Sequence, residues 1–284
     1  MALPLLFEPY TRWVSEKPDV ADHYSAQYGQ FAAEVHAQVR RAAFGEDIGQ
    51  NSWLTVDELE RFAGWLELGQ SRRLLDVACG SGGPALHLAR LTGCEIIGVE
   101  LYAEAVANGN RMALEAGLET QARFVQADAS QALPLESGSF DAIVCVDAIN
   151  HLPDRQRVLS DWARLLTAGG RVLFTDPLTV TGMLSSDEIA TRTSIGYGLF
   201  VPVGENERLL AETGLNVVTV EDTTDSKAEV ARRRYDARAQ HETTLRQTEG
   251  DETFEGRQRF FDVAATLASE RRLSRYVYVA AKPT

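Results

Sequence analysis

From residue 72 onward the chain alternates short apolar runs with helix-patterned segments, and this alternation restricts the fold more than any other feature. The runs are RLLDVA (73–78), EIIGVE (95–100), ARFVQAD (122–128), FDAIVCVDA (140–148), GRVLFTD (170–176), LNVVTVED (215–222) and YVYVAAK (276–282). A strand that is apolar along its length is covered on both faces, and the intervening helices supply the covers. The expectation is an α/β fold, a doubly wound and mostly parallel sheet of seven strands. The last strand is expected to return antiparallel between its neighbours. Asp76, Glu100, Asp128, Asp147 and Asp176 recur at the C-terminal ends of five runs. Ligands of open parallel sheets bind beyond that edge, so these acids mark the functional side.

Residues 8–70 carry apolar residues at helical spacing and no strand pattern, as in AQYGQFAAEVHAQVRRAAF and TVDELERFAGWLEL. Thr55 followed by Glu58 has the spacing of a capping box. Residues 1–70 are therefore expected to form a helical lid. Residues 71–284 form the ligand-binding domain, with cap insertions at about 177–205 and 225–272. Within the second insertion, Arg232, Arg233 and Arg234 read as a solvated helix face or, alternatively, as a contact for an anionic substrate. The apolar residues Leu3 to Phe7 have the character of a docking segment for this chain or a second copy, so a monomer and a homodimer are both open.

The formal net charge is −13, which sets the surface against nucleic acid and anionic membranes. Cys79, Cys94 and Cys145 lie in or beside apolar segments without metal-ligand spacing, and read as structural thiols of a reducing compartment. The opening MALPLLFEPYTRW lacks the basic start and long apolar core of a secretory leader. No apolar run has the length of a membrane span. A cytoplasmic protein with a small-molecule partner is expected.

The stretch LDVACGSGGPAL (75–86) passes from a strand through a glycine-rich turn into a helix, which directs backbone N–H groups at a ligand. Gly80-x-Gly82-x-x-Ala85, with Glu100 twenty residues beyond Gly80, formally satisfies a dinucleotide fingerprint. Three details point elsewhere: Asp76 precedes the glycines, Asp128 ends the next strand but one, and the chain closes on a strand after a long insertion. A nicotinamide oxidoreductase also needs a Tyr-x-x-x-Lys or similar set, which the three lysines (17, 227 and 282) are not expected to supply. A binding module that has lost catalysis is the other alternative, and the acids present at every expected cofactor position speak against it.

These residues resemble the class I S-adenosylmethionine-dependent methyltransferases over about residues 72–222 and the final strand. LLDVACGSGGPALHLA is similar to their first motif and GVELYAEAV to the second. QADAS is similar to the third, FDAIVCVDAINHL to the fourth, and LLTAGGRVLFTD to the loop and strand that follow, with Ala168 where Pro is more usual. The resemblance implies a cofactor site of Trp53, Asp76, Ala78, Gly80, Gly82, Glu100, Leu101, Asp128, Ala129 and Asp147. Glu100 would take the ribose hydroxyls, Asp128 and Ala129 would stand beside adenine, and Trp53 would lie on a loop folded over the cofactor.

More narrowly, DAINHL, FGEDIGQNSWLT and the insertion before YVYVAAK resemble small-molecule methyltransferases of the phosphoethanolamine, sarcosine and quinone/tocopherol type. In the phosphoethanolamine enzymes a His at the place of His151 pairs with a Tyr of the N-terminal helices, for which Tyr24 and then Tyr28 are the candidates. The resemblance implies metal-independent transfer to nitrogen or oxygen, with His151 as general base or, alternatively, as a ligand of the cofactor carboxylate. Asp176 either orients the acceptor or caps the turn before Pro177. Tyr28, Tyr197, Tyr235 and His241 are candidate acceptor contacts. No metal site is expected, because Asp176 is followed by Pro177 where a catechol-type site needs an Asp–Asn pair. Carbon methylation of a ring or terpenoid stays open, as does the identity of the acceptor.

Overall fold

The computed structural model describes residues 18–284, with side chains from Tyr24 onward. The docking segment Leu3 to Phe7 and the first part of the expected lid lie outside the described residues. Three helices come first: α1 (Pro18–Gly29), α2 (Glu34–Phe44) and α3 (Val56–Trp65). The capping box at α3 is present, Glu58 N donating to Thr55 Oγ1 and Thr55 N to Glu58 Oε2. Within residues 26–44, where apolar residues recur at helical spacing, the chain turns after Gly29 and restarts at Glu34.

The strands that follow are β1 (Arg73–Val77), β2 (Glu95–Glu100), β3 (Ala122–Gln126), β4 (Phe140–Cys145), β5 (Leu166–Val180), β6 (Val201–Pro202), β7 (Asn216–Asp222) and β8 (Leu273–Ala281). Between them run α4 (Gly83–Thr92), α5 (Ala103–Glu115), α6 (Arg155–Leu165), α7 (Ser186–Arg192) and α8 (Glu205–Glu212), then α9 (Thr224–Gln240), α10 (Glu242–Glu249) and α11 (Asp251–Ser269). The sheet order is β3-β2-β1-β4-β5-β8-β7, with β6 paired to β5 off this path. β8 alone runs against its neighbours, between β5 and β7. Seven strands thus lie where the apolar runs placed them, and two-residue β6 is added within the first insertion.

Successive residues of a strand face opposite sides. Leu74 accordingly joins the core cluster with Leu59 and Leu88, while Leu75 joins the one with Trp162 and Leu210. Both faces of the central strands are dry, so the apolar runs lack the polar alternation of a half-exposed sheet.

The N-terminal helices are tied to the sheet by a buried charge cluster. Arg275 of β8 is fully buried; its Nη1 donates to Glu58 Oε1 (2.8 Å) and its Nε to Asp147 Oδ1 (2.7 Å). The other Asp147 oxygen accepts from Trp53 N (2.9 Å), which fixes the loop ahead of α3. Asp147 has φ +52°, a conformation that Asp and Asn tolerate better than most side chains.

Candidate active site

Two adjoining cavities open at the C-terminal edge of the sheet. The first, about 190 Å³, is lined by Asp76, Ala78 and Gly80 after β1, by Glu100 and Leu101 after β2, and by Asp128 and Ala129 after β3. Tyr28 of α1 closes it from above. Its walls carry acids because consecutive parallel strands deliver their C-terminal residues to one edge. Glu100 is held rigidly: Gly80 N donates to its Oε2 (2.9 Å), and Leu101 N (2.7 Å) and Tyr102 N (3.2 Å) donate to Oε1. Burial pushes its pKa up, and these N–H groups oppose the rise. Asp76 has no such backbone donors among the described residues. Burial, and then the charge of Glu100, push it up to about 8. A carboxylate in that state fits a ligand that brings a positive charge of its own.

The two glycines of the turn play different parts. Gly80, at φ +57°, lines the cavity. Gly82, at φ +76°, does not line it; a Cβ there would stand 2.4 Å from the Phe124 ring. Its smallness serves the packing of α4 on β3, contrary to the expectation that it contacts the ligand. Gly82→Ala is expected to destabilise the fold by about 1–3 kcal/mol through overpacking, with added cost from its positive φ. Thermal denaturation measures this, and a change under 0.5 kcal/mol, on the order of ordinary surface substitutions, would contradict the packing argument.

The second cavity, about 140 Å³, lies between α1, α2, α7, α9 and α11. Trp53, Phe260 and Phe261 form one wall, with Trp53 stacked on Phe260 at 6.3 Å between centroids. Trp53 therefore turns its indole away from the first cavity, which corrects the expectation that it covers the cofactor; its neighbours Asn51 and Ser52 face both cavities. The remaining wall is rich in arginine, including the buried Arg192 and the half-buried Arg234.

Tyr24, Asn51, Ser52, Asp147 and His151 line both cavities and form their border. His151 ends the 3-10 turn Ile149–His151 that follows β4. Its Nδ1 lies 2.6 Å from the Tyr197 carbonyl oxygen. A carbonyl only accepts, so Nδ1 carries the proton and Nε2 of the neutral ring presents a lone pair. Tyr24 Oη stands 3.3 Å from Nε2, a long and weak donor to it. Burial is the largest influence on His151 and lowers its pKa below the usual value of 6.5. Tyr24 is pushed upward, chiefly by burial, and keeps its proton.

The other candidates fall elsewhere. Asp176 is completely buried and faces neither cavity; its carboxylate holds Arg155 at 2.6 Å, Asn206 Nδ2 and Leu178 N. The charge that looked available for an acceptor joins β5 to α6 and α8 instead. Asp147 lines the border, yet its oxygens are committed to Arg275, Thr175 and Trp53 N. Tyr197 contributes its backbone carbonyl, and its ring lines neither cavity. Tyr235 and His241, both half-buried, also line neither. Tyr28 belongs to the first cavity only.

Several lining residues had no local signature. Arg192 lies in the unremarkable ATRTSIG, and Asn150 precedes His151 with its Oδ1 buried and unpartnered among the described residues. Arg234 turns inward while Arg232 and Arg233 stay exposed, so only part of that run is a solvated face. One Tyr-x-x-x-Lys spacing does exist, Tyr278 to Lys282, contrary to the expectation of none. Tyr278 is buried in β8 against Phe174, and Lys282 Nζ donates to Leu166 O, so the pair stands outside both cavities.

This fold with acids along one sheet edge defines an α/β domain built for a nucleoside-bearing ligand. A family described as a methyltransferase domain matches residues 75–174. The 27-O-demethylrifamycin SV methyltransferase of Amycolatopsis mediterranei (strain S699) is 30% identical over 201 residues, spanning 66% of this chain and 74% of that protein. The sarcosine/dimethylglycine N-methyltransferase of Halorhodospira halochloris is 33% identical over 133 residues, 47% of each chain. Among solved structures, Haemonchus contortus phosphoethanolamine N-methyltransferase 2 in complex with S-adenosyl-L-methionine has a TM-score of 0.78 at 19% identity, over 99% of this chain and 62% of that one. Further relatives carry the names of sterol C-methyltransferases and a tocopherol O-methyltransferase. The chain belongs to the class I S-adenosylmethionine-dependent small-molecule methyltransferases, and S-adenosylmethionine is its cofactor. Among the described residues no helix is long and apolar enough to cross a membrane, and no group of three His, Cys, Asp or Glu could hold a metal.

Proposed function

We propose that the protein methylates a nitrogen or oxygen of a small organic acceptor, with His151 as general base and residues up to 70 acting as a lid. The observation that carries this reading is the position of His151 Nε2 at the border of an acidic and an arginine-lined cavity. In this reading the first cavity holds S-adenosylmethionine. Glu100 takes the ribose hydroxyls, Asp128 and Ala129 flank the adenine, and Asp76 faces the cationic end. The bound cofactor supplies an electrophilic methyl group that needs no further activation.

The protein then contributes position and proton removal. Tyr24, Asn51 and Ser52 close the border and hold the acceptor in line. His151 Nε2 takes the proton that a hydroxyl loses as it attacks, or that an ammonium loses before its nitrogen has a lone pair to attack with, while Nδ1–H stays on the Tyr197 carbonyl and fixes the ring. The relatives carry the names of N-, O- and C-methyltransferases, so the choice of nitrogen or oxygen rests on this base.

Titrating S-adenosylmethionine and NADH into the protein, followed by an acceptor screen with labelled methyl, tests the reading. Binding of the first and not the second is expected. A product methylated on carbon would overturn the assignment to nitrogen or oxygen. Glu100→Ala is expected to weaken S-adenosylmethionine about 10- to 100-fold, the worth of one charge-assisted hydrogen bond. An unchanged Kd in a folded variant would remove Glu100 from the ribose.

A further inference from the structure

We infer that the methyl acceptor carries an oxyanion, a carboxylate or a phosphate, on an apolar body, and that Arg192 receives this anion in the second cavity. The inference rests on the reading above, in which that cavity is the acceptor's. Arg192 is only 6% exposed, and its Nε and Nη1 are buried with no hydrogen-bond partner among the described residues. Its guanidinium lies 4.0 Å over the Phe260 ring and 5.7 Å from that of Trp53. A ring face offsets only part of the cost of burying a cation.

The surroundings deepen the imbalance. Five arginines line this cavity, and among the described residues only Asp47, on Arg40, and Glu249, shared by Arg238 and Arg257, pair with them. Three guanidiniums are thus in excess. Arg234 donates to the carbonyls of Asn51 and Ser52 and meets no carboxylate among the described residues. Asp147 and Glu58 share the single Arg275, so that cluster offsets one of the three. Burial lowers Arg192 to about 10 and Arg234 to about 9, which leaves both charged at neutral pH. An excess of buried positive charge in a chain of net charge −13 is local and specific. The aromatic wall of Trp53, Phe260 and Phe261 suits the apolar body, and donors without partners suit an oxyanion. The two cavities are then complementary in sign, acidic for the sulfonium and basic for the acceptor.

The test uses the full chain loaded with S-adenosylhomocysteine and NMR titration with phenylacetate, phenyl phosphate and the neutral phenylacetamide and benzyl alcohol. At least one anion is expected to bind about 10-fold tighter than its neutral counterpart, the worth of a charge-assisted contact. The stronger of the two anions tells carboxylate from phosphate. Arg192→Gln is expected to abolish the preference while its affinity for S-adenosylhomocysteine is unchanged. Equal affinity of anion and neutral probe for the wild type, including binding by neither, overturns the proposal, and this comparison stands even if the variant fails to fold. Persistence of the preference in a folded Arg192→Gln overturns it as well. Failure of the wild type to bind S-adenosylhomocysteine would instead strike the reading on which the proposal rests.

Discussion

Replacing His151 by Ala is expected to lower kcat about 10²- to 10⁴-fold, the usual worth of a positioned general base, with little change in S-adenosylmethionine affinity. The asymmetry follows from the ring's two bonds. Nδ1 is spent on the Tyr197 carbonyl at 2.6 Å, and Nε2 faces the border between the cavities. In the proposed reading His151 works as a base only when neutral, so activity is expected to be lost as pH falls through its pKa. Burial, the largest influence, lowers that pKa below 6.5, and the nearby charge of Arg192 lowers it further against the carbonyl bond, Asp147 and Asp176. The acid limb of kcat/KM is therefore expected below pH 6.5 in the wild type and absent from His151→Ala, with partial rescue by added imidazole. A variant that instead binds S-adenosylmethionine much more weakly and turns over normally when saturated would move His151 to the cofactor's carboxylate.

Arg275→Met is expected to cost about 3–5 kcal/mol, because removing one member of a buried ionic cluster strands the others. For a chain of this size that is a fall of roughly 10 °C in Tm. Asp147 and Glu58 would keep their buried carboxylates without a cation. The loop at Trp53, held to Asp147 by its backbone N–H, would lose its anchor on the sheet. Neutralising the stranded acids as well, in the triple variant with Asp147→Asn and Glu58→Gln, is expected to recover a large part of the loss. Asn suits the positive φ of residue 147, so the backbone adds little penalty. A single-variant loss under about 1 kcal/mol, the scale of an exposed ion pair, would show that the cluster is not what joins α3 to the sheet.

The sheet was legible because its central strands are dry on both faces. Leu74 and Leu75 each need a cover, and only the edge strands β3 and β7 stay partly open to solvent. The place of the first cavity was legible for a related reason: parallel strands bring their last residues to one edge, whatever the loops do. Asp76, Glu100 and Asp128 meet there, twenty or more residues apart in the chain.

Side-chain direction was a different matter. Asp176 closes its apolar run, yet β5 continues past it to Val180 and its carboxylate turns inward because Arg155, 21 residues earlier, and Asn206, 30 residues later, wait beneath it. Trp53 faces the second cavity because α11 places Phe260 and Phe261 against it. Arg275 answers Glu58 across 217 residues, and no local window contains both. Burial patterns and strand ends are properties of short segments, so the sequence alone determined the α/β sheet and its acidic edge. Which charges cancel and which stay open toward a ligand depends on contacts between distant segments, and only the tertiary structure decided that.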